Sequence, residues 1–350
     1  MVRRFAFAVP GDLATPTGGY AYDRRMIAEL ERLGWQIDVV DLGEGFPWPS
    51  DETRAKAWLR LSDVPPGRTI VIDGLAFGVL PEAVLQLRME NPLIALVHHP
   101  LALEAGLSIQ QANILRTCER AALMAARLVI ANSAETARHL TSDYGVAADR
   151  IVIACPGTDP APMAHGSDDG IVRLLSVGAV VPRKGFDVLI AALATLADLP
   201  WRLTIAGDRS RDPKAAAQLD ADIARFNLNG RVAVLGAVSP ERLAELYGSA
   251  DLFALASRFE GYGMAYAEAI AHGLPVIGTT AGAIPDTVPA GAGVLVAPDD
   301  AAALALALRR VIQDQDERRR LATSARAAAR QLPAWQDSAK IFSHALEALA

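Results

Sequence analysis

The sequence has little cysteine and no long apolar run. Cys118 and Cys155 are the two cysteines among 350 residues, and no C-x-x-C spacing occurs. This count argues against a disulfide framework or a thiolate metal site and favours a reducing compartment, so we predict that both are small buried apolar side chains. Because no run of about 18 consecutive apolar residues exists, we predict that the chain does not cross a bilayer.

Two phosphate-binding motifs and an excess of positive charge are also missing. The sequence contains neither G-x-G-x-x-G nor G-x-x-x-x-G-K-[ST], which removes the usual support for a nicotinamide-dinucleotide or P-loop protein. Lys and Arg number 34 against 40 Asp and Glu, a formal net charge of −6, so no nucleic-acid partner is expected. The apolar run in MVRRFAFAVPGD is too short for a secretory signal, and a cytoplasmic location is predicted.

Composition and periodicity indicate a folded α/β chain of two domains. Apolar residues make up 51% and charged residues 21% of the chain. Short apolar runs alternate with stretches of helical period, the first over Tyr20–Leu33, which is typical of βαβ units and parallel sheets. Twelve strands are predicted: Arg4–Val9, Gln36–Asp41, Thr69–Asp73, Leu93–His98, Leu128–Asn132, Ile151–Ala154, Arg173–Val177, Arg202–Ala206, Val232–Leu235, Leu252–Ala254, Pro275–Gly278 and Gly293–Val296.

The strands fall into two series, which sets the domain boundaries. We predict an N-terminal domain over residues 1–160, a C-terminal domain over 161–332, and a helix over 333–350 that packs back on the N-terminal domain. The segment Pro156–Gly170 is rich in Pro, Gly and Asp, which is typical of an interdomain linker. Because doubly wound sheets bind ligands at the carboxyl ends of their strands, the loops there are the places to search for a site.

The strongest signal is EGYGMAYAE, which begins at Glu260 and ends at Glu268. A helix is predicted to start near Gly263, so the N–H groups of Tyr262, Gly263 and Met264 would lie at a helix N-terminus, where anions bind. Two carboxylates beside an anion site suggest a ligand that has both phosphate and hydroxyl groups. The alternative is that Glu260 caps the helix and Glu268 is a solvated helical residue.

Two further loops carry phosphate-binding chemistry. VPRKGFD places Arg183 and Lys184 in a turn closed by Gly185, where cations and helix amides can meet a diphosphate. Gly18 and Gly19 lie between the first strand and the first helix, where bare backbone can approach a phosphate closely. Each motif has a plain alternative when taken alone, a surface charge for the first and an ordinary loop for the second.

A histidine pair follows the apolar strand LIALV. Either His98 or His99 can orient a sugar or phosphate oxygen, and one of the two is expected to be an ordinary structural histidine. Because no third ligand stands at a recognisable spacing, we predict no metal site.

In the order GG loop, H-x-P, R-K-G and E-x7-E, the chain resembles the family 4 glycosyltransferases over essentially its full length. PGTD at Pro156–Asp159, AGAIPDTV at Ala281–Val288 and the segment Leu235–Asp251, interpreted as strand-like, belong to the same resemblance. The resemblance implies an α/β chain of the GT-B fold. Two Rossmann-like doubly wound domains would face a central cleft, the first binding the acceptor and the second the nucleotide sugar, with helices at the C-terminus.

The resemblance also implies roles for residues of the second domain. Glu268 would bind the ribose hydroxyls, Glu260 would face the transferred sugar, and Arg183 with Lys184 would hold the diphosphate. The nucleobase would lie near the backbone of Val238.

From the first domain, the amides of Gly18 and Gly19 would approach the phosphates, and His98 matches the H-x-P histidine near the donor sugar. His98 and the three charged residues at the diphosphate and the sugar are therefore the expected catalytic residues. One departure is that Gly178 is followed by Ala179, where many family members have arginine. We infer that Arg183 supplies the missing cation.

The implied reaction moves a hexose from a nucleoside diphosphate sugar, with UDP favoured, to an acceptor hydroxyl with retention at the anomeric carbon. The donor is a co-substrate, and neither a further cofactor nor a metal is expected. A lipid, a glycan and a small metabolite are all open as acceptors. Arg116, Arg120 and Arg127 would share a helical face that either touches lipid phosphate at the membrane periphery or is solvated. The alternatives are a nucleotide-sugar epimerase of the same fold and a non-catalytic nucleotide-sugar-binding subunit.

Overall fold

The structure is a computed structural model and describes residues 3–349. It contains two compact units. Unit 1 comprises the residues up to Gly157 together with Pro333 and the residues after it, and unit 2 comprises Thr158–Leu332. Each unit is built on one six-stranded parallel sheet.

The sheet of unit 1 has the strand order 2-1-3-4-5-6 along the chain numbering. Its strands are β1 (Arg4–Val9), β2 (Gln36–Asp41), β3 (Ile70–Asp73), β4 (Leu93–Val97), β5 (Leu128–Ala131) and β6 (Ile151–Ile153). The central strands β3 and β4 are buried along their whole length, because helices cover both faces of a sheet of this kind. The apolar runs IVI in β3 and LIALV in β4 are what this burial predicts in the sequence.

The helices of unit 1 are α1 (Gly18–Arg32), α2 (Asp51–Ser62), α3 (Gly74–Phe77), α4 (Pro81–Leu87), α5 (Ile109–Leu123), α6 (Ala134–Ser142) and, after unit 2, α14 (Trp335–Glu347). Side-chain caps determine where several of them begin. The Thr17 hydroxyl accepts from the Tyr20 amide, and Ser108 forms a capping box with Gln111. α1 therefore begins two residues earlier than predicted.

Unit 2 has the strand order 12-11-10-7-8-9. Its elements are β7 (Val172–Val177), α7 (Phe186–Ala194), β8 (Trp201–Ala206), α8 (Pro213–Arg225), β9 (Val232–Val234), α9 (Pro240–Ser249), β10 (Leu252–Ala254), α10 (Met264–Ala271), β11 (Val276–Thr279), α11 (Ile284–Thr287), β12 (Gly293–Val296), α12 (Ala301–Gln313) and α13 (Gln315–Ala329). β7 pairs in parallel with β8 on one side and with β10 on the other. The loops that follow β7 and β10 therefore lie at the same edge of the sheet.

The last helix returns to unit 1, where α14 packs against α1. The Trp35 indole donates to the Ser343 hydroxyl over 2.9 Å, and the Tyr22 and Trp335 rings lie 5.8 Å apart. Gly157 packs so closely against the start of α14 that a Cβ on it would lie 2.2 Å from the backbone nitrogen of Trp335. The glycine of the PGTD motif is thus required by packing.

All twelve predicted strands are present, and their ends differ from the prediction by at most one residue. Two other predictions are wrong. Leu235–Asp251 is not strand-like, because ten of its residues form α9, which Ser239 caps. Arg127 lies beyond α5, which ends at Leu123, so it does not share a helical face with the other two arginines of that prediction.

The segment Pro156–Gly170 has neither helix nor strand, but most of it is bound to unit 2 and is not a free linker. The Ala164 amide donates to the His272 carbonyl over 2.8 Å, and the Ser167 hydroxyl donates to the Asp251 carboxylate over 2.6 Å.

Two predictions from composition concern the cysteines and membrane crossing. Cys118 and Cys155 are reduced and half-buried, less buried than predicted. Within residues 3–349, no helix is both long and apolar enough to span a membrane.

Candidate functional site

In unit 2, a buried carboxylate is bound by two cations and a hydroxyl. The Glu260 Oε1 atom lies 2.7 Å from Lys184 Nζ and accepts from the Ser257 hydroxyl over 2.6 Å. Arg183 Nη1 lies 3.3 Å from the other oxygen of Glu260. Burial alone would raise the pKa of the Glu260 carboxyl, but the charges of Lys184 and Arg183 outweigh it and lower this pKa to about 2.

The R-K-G turn is held in place by backbone packing. Pro182–Lys184 form one 3-10 turn, which Gly185 ends with a φ of 63°. A Cβ on Gly185 would lie 1.9 Å from the Ala256 carbonyl oxygen, so the turn rests directly on the chain after β10. The Arg258 amide donates to the Arg183 carbonyl over 2.8 Å. The cations are therefore placed by the loop after β7 and the loop after β10 together.

The amides expected at a helix start do lie there. α10 begins at Met264, and its first turn is closed by bonds from the Tyr266 and Ala267 amides to the Gly263 carbonyl. The N–H groups before these two have no acceptor within the helix. Tyr262 and Gly263 are buried and Met264 is half-buried. Three residues therefore separate Glu260 from the first residue of α10.

Glu268 lies on α10 and is held by a residue to which the sequence assigned no role. The Tyr247 hydroxyl donates to Glu268 Oε2 over 2.9 Å, and its ring stacks on His272 with centroids 4.9 Å apart. Burial raises the pKa of the Glu268 carboxyl. Tyr247 stands in LYGSAD, a segment quoted for the family resemblance, so only its position in that motif could have suggested it.

Three further residues of unit 2 named from the sequence are Gly178, Ala179 and Val238. Gly178 directly follows β7, and a Cβ at this position would lie 3.0 Å from the Lys184 side chain. Ala179, where the arginine of many family members would stand, is half-buried. Val238 lies in the loop between β9 and α9 and packs partly on the core of unit 2.

In unit 1, His98 lies between two buried aspartates. Its Nε2 atom is 3.1 Å from Asp23 Oδ1 and 3.2 Å from Asp73 Oδ2. Burial would lower the pKa of the His98 imidazole, but the two carboxylates outweigh this effect and raise that pKa to about 10. Burial raises the pKa of Asp23. The sequence analysis missed both aspartates, since Asp23 is 75 residues away and nothing in the spacing links them.

The two glycines come to the same place as His98. Gly18 and Gly19 are the first residues of α1, so the predicted loop is in fact a helix N-terminus. A Cβ on Gly19 would lie 3.3 Å from the His98 Cδ2 atom, whereas one on Gly18 would meet nothing within 4 Å. His99 is directed elsewhere and lies 3.4 Å from Glu104. Of the two histidines, His98 is the one within the cluster.

Among residues 3–349, Asp23, Asp73 and His98 form a group whose ligand atoms lie within 4.8 Å of one another and can hold a metal ion. The sequence contains two Asp-x-Asp triplets, 220–222 and 314–316, of the kind that can bind metal ions. Both are engaged otherwise, since Asp222 pairs with Arg225 and Asp314 caps α13.

Two protein-family models match the chain, and together they cover most of both units. Residues 18–162 match the family model described as Glycosyltransferase Family 4, and residues 161–328 match the model described as Glycosyl transferases group 1. The chain is 33% identical to a D-inositol 3-phosphate glycosyltransferase of Xylanimonas cellulosilytica, with 63% of this chain and 57% of that protein covered. It is 27% identical to an MMP alpha-(1->4)-mannosyltransferase of Mycolicibacterium hassiacum, with coverages of 84% and 74%. The chain spans about half the length of the inositol-phosphate relatives that it matches.

Solved structures agree on the fold. Sucrose-phosphate synthase from Thermosynechococcus elongatus superposes with a TM-score of 0.84 at 22% identity, with 99% of both chains covered. Anabaena Alr3699/HepE in complex with UDP-glucose superposes with a TM-score of 0.79 at 21% identity, again over 99% of both chains.

Proposed function

Because the chain belongs to the family 4 glycosyltransferases and has the GT-B fold, we propose that it transfers a hexose from a nucleoside diphosphate sugar to an acceptor hydroxyl with retention at the anomeric carbon. The observation that carries this proposal is the cluster of Lys184, Arg183 and Glu260 just before the N-terminus of α10, with Glu268 on that helix. Cations, helix amides and carboxylates are what a ligand with a diphosphate and hydroxyl groups needs.

The cations perform the central chemical task. Negative charge develops on the leaving diphosphate as the glycosidic bond breaks, and preplaced positive charges stabilise it without reorganising. Lys184 and Arg183 are fixed by their bonds to Glu260 and are partly exposed, with 13% and 17% of their side chains accessible. Because the pKa of Glu260 is about 2, its carboxylate is ionised at neutral pH and can accept hydrogen bonds from the sugar hydroxyls.

Glu268 is suited to bind the ribose. A carboxylate can accept from two neighbouring hydroxyls, and the Tyr247 hydroxyl holds one of its oxygens. UDP is the proposed nucleotide, which agrees with the UDP-glucose bound to Alr3699/HepE. We assign no metal and no protein base to the reaction, since the donor phosphate itself can take the acceptor proton. D-inositol 3-phosphate in the names of several relatives favours a small hydroxylated metabolite among the acceptors.

The test is a thermal-shift titration of the wild-type protein and Glu268→Ala with UDP, GDP and ADP, because a ligand that binds only the folded state raises its melting temperature. We expect a shift with UDP that is reduced in the variant by roughly 1–3 kcal/mol of binding free energy, the cost of one charge-assisted hydrogen bond. Glu245→Ala, which removes an exposed side chain of α9, is the matched control and keeps the full shift.

Hydrolysis and acceptor assays then separate the alternatives. Turnover of a UDP-hexose that requires an added polyol or sugar phosphate and yields an α-glycoside from an α-donor supports the proposal. Conversion of the donor without an acceptor indicates an epimerase. No shift with any of the three nucleotides indicates a chain that does not bind this class of donor.

A further inference from the structure

In unit 2, the side chain of Arg258 joins three loops. It lies in the loop after β10, and its Nη1 donates to the Pro182 carbonyl over 2.5 Å. Its Nη1 and Nη2 bind the two oxygens of Asp187 over 3.0 and 2.7 Å, and its Nε donates to Asp299 Oδ1 over 2.7 Å. Pro182 begins the R-K-G turn, Asp187 lies in the first turn of α7 and Asp299 follows β12. The guanidinium thus connects the loop after β10 to those after β7 and β12.

These bonds use most of the donors that Arg258 has. A guanidinium has five N–H groups in a fixed plane, and four of them are engaged by the acceptors just described. The side chain is only 24% exposed. A lysine carries its donors on a single nitrogen, so it would not match this planar arrangement of acceptors. Arg258 is therefore bound to the protein itself, which is the role of a brace between loops.

The backbone next to Arg258 is bonded to the same turn. The Arg258 amide donates to the Arg183 carbonyl over 2.8 Å, and Arg183 Nη1 donates to the Phe259 carbonyl over 3.0 Å. Lys184, the next residue of the turn, lies 2.7 Å from Glu260. The chain after β10 thus holds the first residue of the turn through the Arg258 side chain, and it holds the two cations through the residues that follow.

Asp299 has a backbone conformation that is uncommon for a residue with a side chain. Its φ is 62°, and it is one of two non-glycine residues with a positive φ that the structure describes. Such a backbone persists where the surrounding structure determines it. β11 lies between β10 and β12, so the bond from Arg258 to Asp299 reaches across one strand of the sheet. A turn of this kind agrees with a carboxylate whose position matters.

Ion pairs as exposed as these contribute little to overall stability. The Asp187 and Asp299 side chains are 49% and 60% exposed, and isolated pairs on a protein surface contribute little that can be measured. A bidentate pair within a network is the exception, and it adds geometric specificity. We therefore expect the bonds of Arg258 to determine where the R-K-G turn lies rather than whether unit 2 folds.

We propose that Arg258 is a positioning residue of the donor site, whose guanidinium fixes the R-K-G turn so that Arg183 and Lys184 are in place before the donor binds. The inference rests on the proposed function for the role of these two cations at the diphosphate. Cations that are already in place stabilise the developing charge without reorganising. A turn without this brace would have to be ordered in each turnover, and kcat would fall.

The first experiment measures the order of the turn in the nucleotide-free protein. Hydrogen exchange followed by mass spectrometry is compared over residues 178–186 in the wild-type protein, Arg258→Gln and Arg258→Lys. We expect exchange at least about fivefold faster in Arg258→Gln, because the Lys184 and Gly185 amides, whose bonds close the turn, would open more often. Arg258→Lys should regain part of the protection, since it returns the charge without the planar fork.

The second experiment measures kcat and KM with UDP-hexose, together with the melting temperature. In Arg258→Gln, kcat should fall at least about tenfold, and KM should change less, because the charge on the diphosphate is greatest in the transition state. The melting temperature should fall by no more than about 2–4 °C, the shift expected for a surface ion pair in a domain of this size. A merely structural role would instead lower the melting temperature and leave the kcat of the folded protein unchanged.

A double-mutant cycle separates positioning from a simple effect of charge. Arg258→Gln leaves Asp187 and Asp299 without their shared cation, and their charge would by itself repel a diphosphate. The variant Asp187→Asn/Asp299→Asn removes this charge and weakens the same brace. If Arg258 positions the turn, this variant loses kcat as Arg258→Gln does, and combining all three substitutions adds little further loss. Recovery of kcat when both carboxylates are removed from Arg258→Gln would overturn the proposal.

Arg309→Gln is the matched control. Arg309 binds Asp198 in the same bidentate manner, over 2.7 and 2.9 Å, and donates to the Thr195 carbonyl over 3.3 Å. Thr195 follows the last residue of α7, so this pair lies at the opposite end of that helix from the R-K-G turn. The control should have the wild-type kcat and the wild-type exchange over residues 178–186.

Two further results would overturn the proposal. One is wild-type exchange of the turn in Arg258→Gln, and the other is wild-type behaviour of Arg258→Lys in both experiments, since a charge without the fork would then suffice. The exchange measurement uses no nucleotide, so it separates a failure of this inference from a failure of the proposed function. If Arg258→Gln does not fold, Asp299→Gly removes one acceptor and suits the left-handed backbone there, which provides a folded variant for the same measurements.

Discussion

At the scale of single residues, the candidate donor site is a balance of charges in which each group depends on the others. Glu260 is buried and ionised because Lys184 and Arg183 compensate for the loss of water. A buried charge that loses its partner is strongly destabilised, so removing one member affects the rest. Glu268 depends on Tyr247 in a similar way, through one neutral donor.

Lys184→Ala should lower kcat at least about tenfold, because it removes the proposed contact to the leaving diphosphate and the nearest cation of Glu260. Steady-state kinetics with UDP-hexose measure the effect. Lys214→Ala removes an exposed lysine of α8 and should leave kcat unchanged. A wild-type rate in Lys184→Ala would place the diphosphate elsewhere.

Tyr247→Phe should weaken the binding of UDP about five- to tenfold, since the hydrogen bond to Glu268 is lost while the ring stack on His272 stays. Isothermal titration calorimetry gives the affinity. Tyr144→Phe, a buried tyrosine of unit 1, is the control and should bind UDP as the wild-type protein does. Equal affinities of Tyr247→Phe and the wild type would argue against a role for the Tyr247 hydroxyl.

At the scale of elements, the site is formed by loop ends that meet at the carboxyl edges of neighbouring strands. β7 and β10 are paired, so the turn after β7 packs on the chain that leaves β10. Gly185 makes this possible, because its φ of 63° and the nearby Ala256 carbonyl both exclude a side chain. Gly282 does the same behind Glu260, where a Cβ would be 2.3 Å from the Glu260 carbonyl oxygen.

Gly185→Ala should displace the R-K-G turn and reduce kcat by more than tenfold. The left-handed backbone costs about 1–2 kcal/mol for a residue with a Cβ, and the clash with Ala256 adds to that cost, so the melting temperature should fall as well. Gly230→Ala is the control, since a Cβ there meets nothing within 4 Å. The idea fails if Gly185→Ala keeps the wild-type kcat.

At the scale of the whole molecule, unit 1 consists of two parts of the chain that are separated by all of unit 2. Its first part ends at Gly157 and its second begins at Pro333. α14 is joined to α1 and to Trp35 by buried contacts, so this last helix is part of the packing of unit 1 around α1. Unit 2 is continuous in sequence and has its own core.

Trp335→Ala should destabilise unit 1 by roughly 3–5 kcal/mol, the cost of removing a large buried aromatic side chain. Hydrogen exchange followed by mass spectrometry should show faster exchange in α1 and β1, while β7 and β8 of unit 2 are unchanged. Trp48→Ala is the control, because that tryptophan is 46% exposed. Equal protection of α1 in Trp335→Ala and the wild type would contradict the role of α14.

The fold could be predicted from the sequence because its signals are local. Runs such as LIALV are apolar throughout since a parallel strand is buried on both faces, and their lengths determined the strand ends to within a residue. Pairs of motif residues were also visible, as in Glu260 and Glu268, because a loop and the helix after it are contiguous. Leu235–Asp251 was misjudged because Ser239 and Pro240, a helix start, outweighed the short apolar run before them.

The sequence by itself therefore determined the α/β class, the two series of strands and the chemical types at the strand ends. Only the tertiary structure decided which of those ends meet. Asp23, Asp73 and His98 come together because β1 lies beside β3 and β3 beside β4, and Tyr247 reaches Glu268 because α9 and α10 flank β10. Periodicity reports the burial of each segment separately, whereas sheet order and helix packing depend on the free energy of the whole chain, which no single segment contains.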